Sequence, residues 1–145
     1  MMAVIRVNEK APLRTLIDLT EMMMAYKRET EPDAASDDES AYVSFIKFKI
    51  RTAFVYHMPE TGFCIIDVAF DPLASCSHRS FFVMSHIFIV PEKRKTRAYA
   101  ELFYASIKNH PGKMIGFTYS ESDHNAIMTK RYRKIGTIYG REYGD

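Results

Sequence analysis

Three β-prone runs follow one another between Ala53 and Val90: FVYHM, FCIIDVAF and FFVMSHIFIV. A Pro-Glu-Thr-Gly turn separates the first two, and a longer polar link through Pro72 to Ser80 separates the second from the third. A connection as short as the first can only fold the chain back on itself, because strands running the same way need a crossover of about a dozen residues or more. The runs predict three antiparallel strands, and the flanking segments have to cover them.

The flanks supply helices and further strands. Residues 2–7 alternate loosely and suit a short first strand that ends before Asn8-Glu9-Lys10. Pro12 sits where a first helical turn tolerates it, and Leu13, Leu16, Ile17, Met23 and Met24 recur with helical spacing up to about Arg28. The acidic stretch ETEPDAASDDES, residues 29–40, reads as a surface loop. Ser36 and Glu39 have the spacing of a capping box, which places the start of a second helix at Asp37. Beyond it Ile46, Phe48 and Ile50 alternate as a strand would, whereas Tyr42, Phe45, Ile46 and Ala53 fit a helix, and helix is the reading taken. A third helix spans 96–109 and stops at the breaker Asn109-His110-Pro111-Gly112. KMIGFTYS then reads as a buried strand, Asp123 to Ile135 as a helix closed by Gly136, and TIYGREY as a last strand. The expected order is β-α-α-β-β-β-α-β-α-β, an α/β (α+β) arrangement.

With 145 residues, 47% of them apolar, one core is expected and hence a single domain over 1–145. Residues 1–90 hold 9 Lys and Arg against 12 Asp and Glu, whereas residues 91–145 hold 11 against 6. A basic C-terminal half suits an anionic partner, either a phosphorylated cofactor or nucleic acid. Cys64 and Cys76 lack the spacing of a zinc site or a disulfide framework and read as reduced, cytosolic thiols. No charged start with an apolar stretch opens the chain, and no apolar run approaches the ~20 residues of a membrane helix, so a cytoplasmic protein without a membrane partner is expected.

The stretch richest in chemistry is Ile87 to Leu102, IFIVPEKRKTRAYAEL. A strand ends at Pro91, and a cationic turn of Lys93, Arg94, Lys95 and Arg97 opens into a helix. The first amides of a helix have no intrahelical partner and point outward at the positive end of its dipole, so a diphosphate placed there is held by amides and cations together.

These residues resemble the GNAT acyltransferase pattern V-x-P-E-x-R-G-x-G-x-G-x-x-L, which Ile89, Pro91, Glu92, Arg94 and Leu102 match. Downstream, Asn125 followed by Tyr132-Arg133-Lys134-Ile135-Gly136-Thr137 is similar to the family's N-x-x-A-x-x-x-Y-x-K-x-G-F. The resemblance covers nearly the whole chain. It implies a GNAT fold, with a mixed, mostly antiparallel sheet and helices on both faces, and acetyl-CoA as co-substrate. It also implies that the backbone of Ile89 and Val90 pairs with the pantetheine arm where the fourth and fifth strands splay apart. Arg94 and the amides of Lys95, Thr96, Arg97, Ala98, Tyr99 and Ala100 hold the diphosphate, Asn125 lies near the pantetheine, and Tyr132 protonates the departing thiolate. Ser85 and His86, on the fourth strand, are the candidates for relaying a proton from an acceptor amine, with Asp67 a weaker one. Arg97 and Tyr99 depart from the pattern, since they stand where the family has glycines. Small bacteriophage proteins of this family resemble that looser form.

Two functions follow as expectations. The first is an acetyl-CoA-dependent N-acetyltransferase whose acceptor is an unidentified amine, a protein lysine among the options, with both substrates held together so that no covalent enzyme intermediate is needed. The second is a non-catalytic protein of the same fold that binds a host protein or nucleic acid through residues 29–40 or the basic C-terminal half, including the run Lys130-Arg131-Arg133-Lys134. A homodimer would pair through residues 137–143.

Overall fold

The structure, a computed structural model, describes residues 3–76, 79–111 and 114–116. In chain order its elements are β1 (Ile5–Val7), α1 (Leu13–Thr30), α2 (Glu39–Thr52), β2 (Phe54–Met58), β3 (Gly62–Phe70), β4 (Ser80–Ile89), a 3-10 turn at Pro91–Lys93, α3 (Ala98–Ile107) and β5 (Met114–Gly116). The strands form one sheet in the order β1-β2-β3-β4-β5, antiparallel throughout except for the parallel pair β4 and β5. This agrees with the expected element order as far as β5. The helix expected at 123–135 and the strand expected at 137–143 lie outside the described residues.

The sheet is covered on both faces, and the strand sequences show why. Leu19, Met22, Met23 and Tyr26 of α1 and Tyr42 and Ile46 of α2 pack with Val7, Val55, Phe63, Ile65 and Phe88. Ala98, Leu102 and Phe103 of α3 pack on the other face with Tyr56, Met58, Cys64, Ile66, Met84 and Ile89. Neighbouring residues of β2 and β3 thus alternate between two cores, so both strands read as continuous apolar runs. Of the two cysteines, Cys64 is buried and Cys76 exposed, and both are free.

Two local expectations are corrected. The α2 cap is Asp38 rather than Ser36: Asp38 Oδ1 accepts the Ser40 N–H at 3.0 Å, while Ser36 Oγ accepts the Asp38 N–H at 3.1 Å and only tightens the preceding turn. The carboxylate sits one residue before the first helical turn and wins the exposed amide. The 96–109 helix is shorter, because residues 91–97 form the 3-10 turn and a link whose Thr96 Oγ1 accepts the Ala98 N–H at 3.1 Å. The choice of helix over strand for residues 39–52 holds, since Tyr42 and Ile46 face the core one turn apart while Phe48 stays exposed.

Gly62, which closes the β2–β3 turn, is required by close approach. A Cβ there would lie 2.4 Å from the Phe88 carbonyl oxygen and 2.6 Å from Ile89 Cδ1. The left-handed residue of the turn is Glu60, at φ 57°, and its N–H donates to Asp18 Oδ2 at 2.9 Å. The same oxygen lies 2.6 Å from Nε2 of buried His57, so α1 clamps the turn.

Candidate active site

Side chains along a strand alternate in face, so Met84, His86 and Phe88 would ordinarily share one side of β4. They do not, because the register shifts between Ile65, paired with His86, and Ile66, paired with Met84. Ser85 is the extra residue of a β-bulge, a device common beside active sites. Met84 therefore joins the α3 core, while His86 and Phe88 turn to the α1–α2 face. There the His86 ring meets Tyr26 edge-on at 5.5 Å and Phe45 at 5.7 Å.

The bulge also builds a relay. Lys49 Nζ donates to Asp67 Oδ1 at 2.8 Å, and the Ser85 hydroxyl donates to Asp67 Oδ2 at 2.5 Å. Burial alone would raise the Asp67 carboxyl, but the hydrogen bonds from Lys49 and Ser85 and the Lys49 charge outweigh it and hold it below the usual carboxylate range. With its single hydrogen given to that carboxylate, Ser85 Oγ can only accept from His86 Nδ1, 3.0 Å away. The hydrogen-bond pattern thus assigns His86 the Nδ1–H tautomer and leaves a lone pair on Nε2. Burial, reinforced by the charge of Lys49, lowers His86 to about 4, so the ring is neutral at ordinary pH.

His86 forms the floor of a cavity of about 280 Å³ whose walls come from α1, the α1–α2 link and α2. Met23, Tyr26, Tyr42 and Phe45 supply the large apolar side chains of the wall, and Lys27 and Glu31, paired with each other, stand on its α1 side. The Tyr42 hydroxyl donates to the Ser36 carbonyl at 2.8 Å and ties the link to α2.

The second part of the site is the end of β4 and the start of α3. Among the described residues, β5 pairs with Phe82 to Met84, and β4 runs on to Ile89. Val90 is engaged on both main-chain groups: its N–H donates to the Thr61 carbonyl at 2.9 Å and its carbonyl accepts from Lys93 at 2.9 Å. Adjacent residues of a strand turn these groups to opposite edges, so Ile89 and Ile87 face the β5 side. The Ile89 carbonyl accepts from Arg94 Nε at 2.9 Å. Arg94 also donates from Nη2 to Glu29 Oε2 at 2.6 Å and lies over the Phe88 ring, so it fastens the basic turn to α1. Lys95, Thr96 and Arg97 are exposed, and Arg97 is the N-cap of α3. Tyr99 stacks on Phe103 at 6.3 Å and packs against the α3 core, so its ring leans along the helix. Ala98 is buried, and Ala100 follows it in the first turn of α3.

Sequence reasoning brought Ser85, His86 and Asp67 forward one by one, and the structure joins them. It missed Lys49, the aromatic walls and the bulge, which depend on elements distant in sequence. Tyr132 and Asn125 lie outside the described residues.

No protein-family model matches the sequence, and no curated protein is significantly similar to it. Solved structures are similar in fold. A ribosomal-protein-alanine N-acetyltransferase from Brucella melitensis biovar Abortus 2308 superposes with a TM-score of 0.68 at 12% identity, over 99% of each chain. An integron cassette protein from the mobile metagenome of Cole Harbour Salt Marsh gives 0.65 at 11% identity, over 98% of this chain and 91% of the other. The aminoglycoside N-acetyltransferase AAC(6')-Iy in complex with CoA gives 0.59 at 16% identity, over 99% and 95%. Five strands in this order, covered by helices on both faces, are the fold of the GNAT acetyltransferases.

Proposed function

We propose that this chain is an N-acetyltransferase that uses acetyl-CoA, with the acceptor amine in the cavity above His86. The observation that carries the reading is the bulge at Ser85, which brings a neutral imidazole, its Nδ1 held by Ser85, into the lining of a cavity beside the end of β4. The residues present suit the cofactor. The main chain of Ile87 and Ile89 offers an edge for an extended amide-bearing arm, and the start of α3 offers the cations of Lys95 and Arg97 and the amide of Ala100 for a diphosphate, the Thr96 and Ala98 N–H groups being given to the Lys93 carbonyl and Thr96 Oγ1. Tyr99 leans along α3, which leaves room at the position of the second family glycine. When bound, acetyl-CoA supplies an activated acyl carbon.

His86 Nε2 accepts a hydrogen bond from the acceptor's N–H, orients the nitrogen lone pair away from the ring, and takes the proton as that nitrogen becomes acidic. Ser85, Asp67 and Lys49 hold the ring in its tautomer. Arg94 acts by holding the basic turn on α1, and Tyr132 keeps the role that the resemblance implies, protonating the thiolate. A bacteriophage or mobile-element source remains part of this reading.

The reading is tested by isothermal titration with CoA and acetyl-CoA. Micromolar binding that weakens at least fivefold in the double substitution Lys95→Ala/Arg97→Ala supports it, whereas no heat and no rise in Tm from a folded sample refutes it. Arg94→Ala is a poor probe, since it also releases the Glu29 pair.

A further inference from the structure

The cavity beside His86 is lined by the rings of Tyr26, Tyr42 and Phe45 together with Met23, and these side chains constrain what it can hold. Among the described residues, the titratable groups on its wall besides the tyrosines are Lys27, Glu31 and His86. Lys27 and Glu31 neutralise each other across one helical turn, and the nearby acid Glu29 is paired with Arg94. Behind the floor, Asp67 is held by Lys49. The α1–α2 link, which lines the cavity through Ala34 and Ser36, also carries the exposed acids Asp33, Asp37 and Asp38, so charge at the mouth does not exclude a cation.

What discriminates among amines is the apolar part of the lining, because an aliphatic polyamine leaves the ring faces unmatched. A single amine finds an acceptor in the neutral His86 ring and an attraction to the faces of the neighbouring aromatic rings. The volume, about 280 Å³, lies just below the usual ~300–1,000 Å³ for small-molecule sites, so the occupant is small. Apart from that amine, its surface has to match Met23, Tyr26, Tyr42 and Phe45.

We propose that the cavity selects a small amine carried on an aromatic body, an arylalkylamine, over an aliphatic polyamine. The inference rests on the reading of this cavity as the acceptor site, and it is tested without turnover. The full-length protein, free of acetyl-CoA, is titrated with 2-phenylethylamine and with spermidine by calorimetry, and the His86 ring resonances are followed by NMR. Saturable binding of 2-phenylethylamine that shifts His86 is expected, with spermidine at least tenfold weaker. Ala41→Phe, which fills the cavity from an exposed position on α2, is expected to weaken 2-phenylethylamine at least tenfold with Tm retained. Phe45→Leu, which keeps apolar bulk and removes the ring, weakens it at least threefold. Spermidine binding as tightly as 2-phenylethylamine, an unmoved His86 signal, or binding indifferent to both substitutions overturns the inference. CoA binding without arylalkylamine binding defeats this inference and leaves the transferase reading intact, whereas the reverse result supports the cavity assignment and defeats the transferase.

Discussion

His86 is a histidine whose neighbours fix both its charge and its tautomer. Its ring proton signals are expected to titrate with a midpoint at about 4, and Lys49→Met, which removes a positive neighbour, raises that midpoint. Under the proposed function, His86→Gln lowers kcat by about 10²-fold or more, the usual scale for losing a positioned base, while acetyl-CoA affinity stays within about twofold. The cysteines make a second contrast. Burial pushes the Cys64 thiol up to about 12, and its Sγ lies 3.8 Å from Ser106 Oγ. A thiol reagent is expected to modify exposed Cys76 quickly and Cys64 only on unfolding, so one equivalent reacts in the native protein and two in denaturant. The sequence marked Ser85, His86 and Asp67 as polar interruptions in apolar runs. It could not show that they form one chain with Lys49, because that contact joins α2 to β3 across 18 residues.

At the scale of elements, the decisive feature is the irregularity of β4. A strand read with strict period two puts Met84, His86 and Phe88 on one side, and no residue in FFVMSHIFIV announces the extra position. The bulge is visible only once β3 is laid beside β4 and the register is counted. The turn that aligns these strands depends on Gly62, whose substitution by Ala forces a Cβ into the Phe88 carbonyl. Gly62→Ala is expected to cost about 1–3 kcal/mol in urea unfolding, the range for overpacking a close-packed site. On the opposite face, Leu102 and Phe103 of α3 are wholly buried against the sheet. Phe103→Ala removes a ring from that core and is expected to cost about 3–5 kcal/mol. Helix and strand identities were largely legible, because two-sided burial writes continuous apolar runs into β2 and β3, and one-sided burial writes a stripe into α1. The α2 cap was misplaced because Ser36 and Asp38 are both competent caps, and the path of the preceding link decides between them.

For the molecule as a whole, the two faces of the sheet do different work: α1 and α2 enclose the cavity on one, and α3 brings the basic turn up from the other. Acid should loosen the structure. His86 has its folded value below that of a free histidine, so its contribution is complete above about 6.5 and is lost as pH falls toward about 4. Asp67, also held below its ordinary value, acts in the same direction below that range. Tm is therefore expected to fall from pH 7 to pH 4, and His86→Gln should flatten the upper part of that decline. By itself the sequence determined the order of elements through β5, the antiparallel middle of the sheet and the basic entry to α3, because apolar period, turn residues and charge are local properties. The tertiary structure alone decided the site. The phase of β4, the tautomer of His86, the engagement of Val90 and Arg94 and the aromatic walls of the cavity depend on which strands and helices pack together, and that packing is a property of the whole sheet.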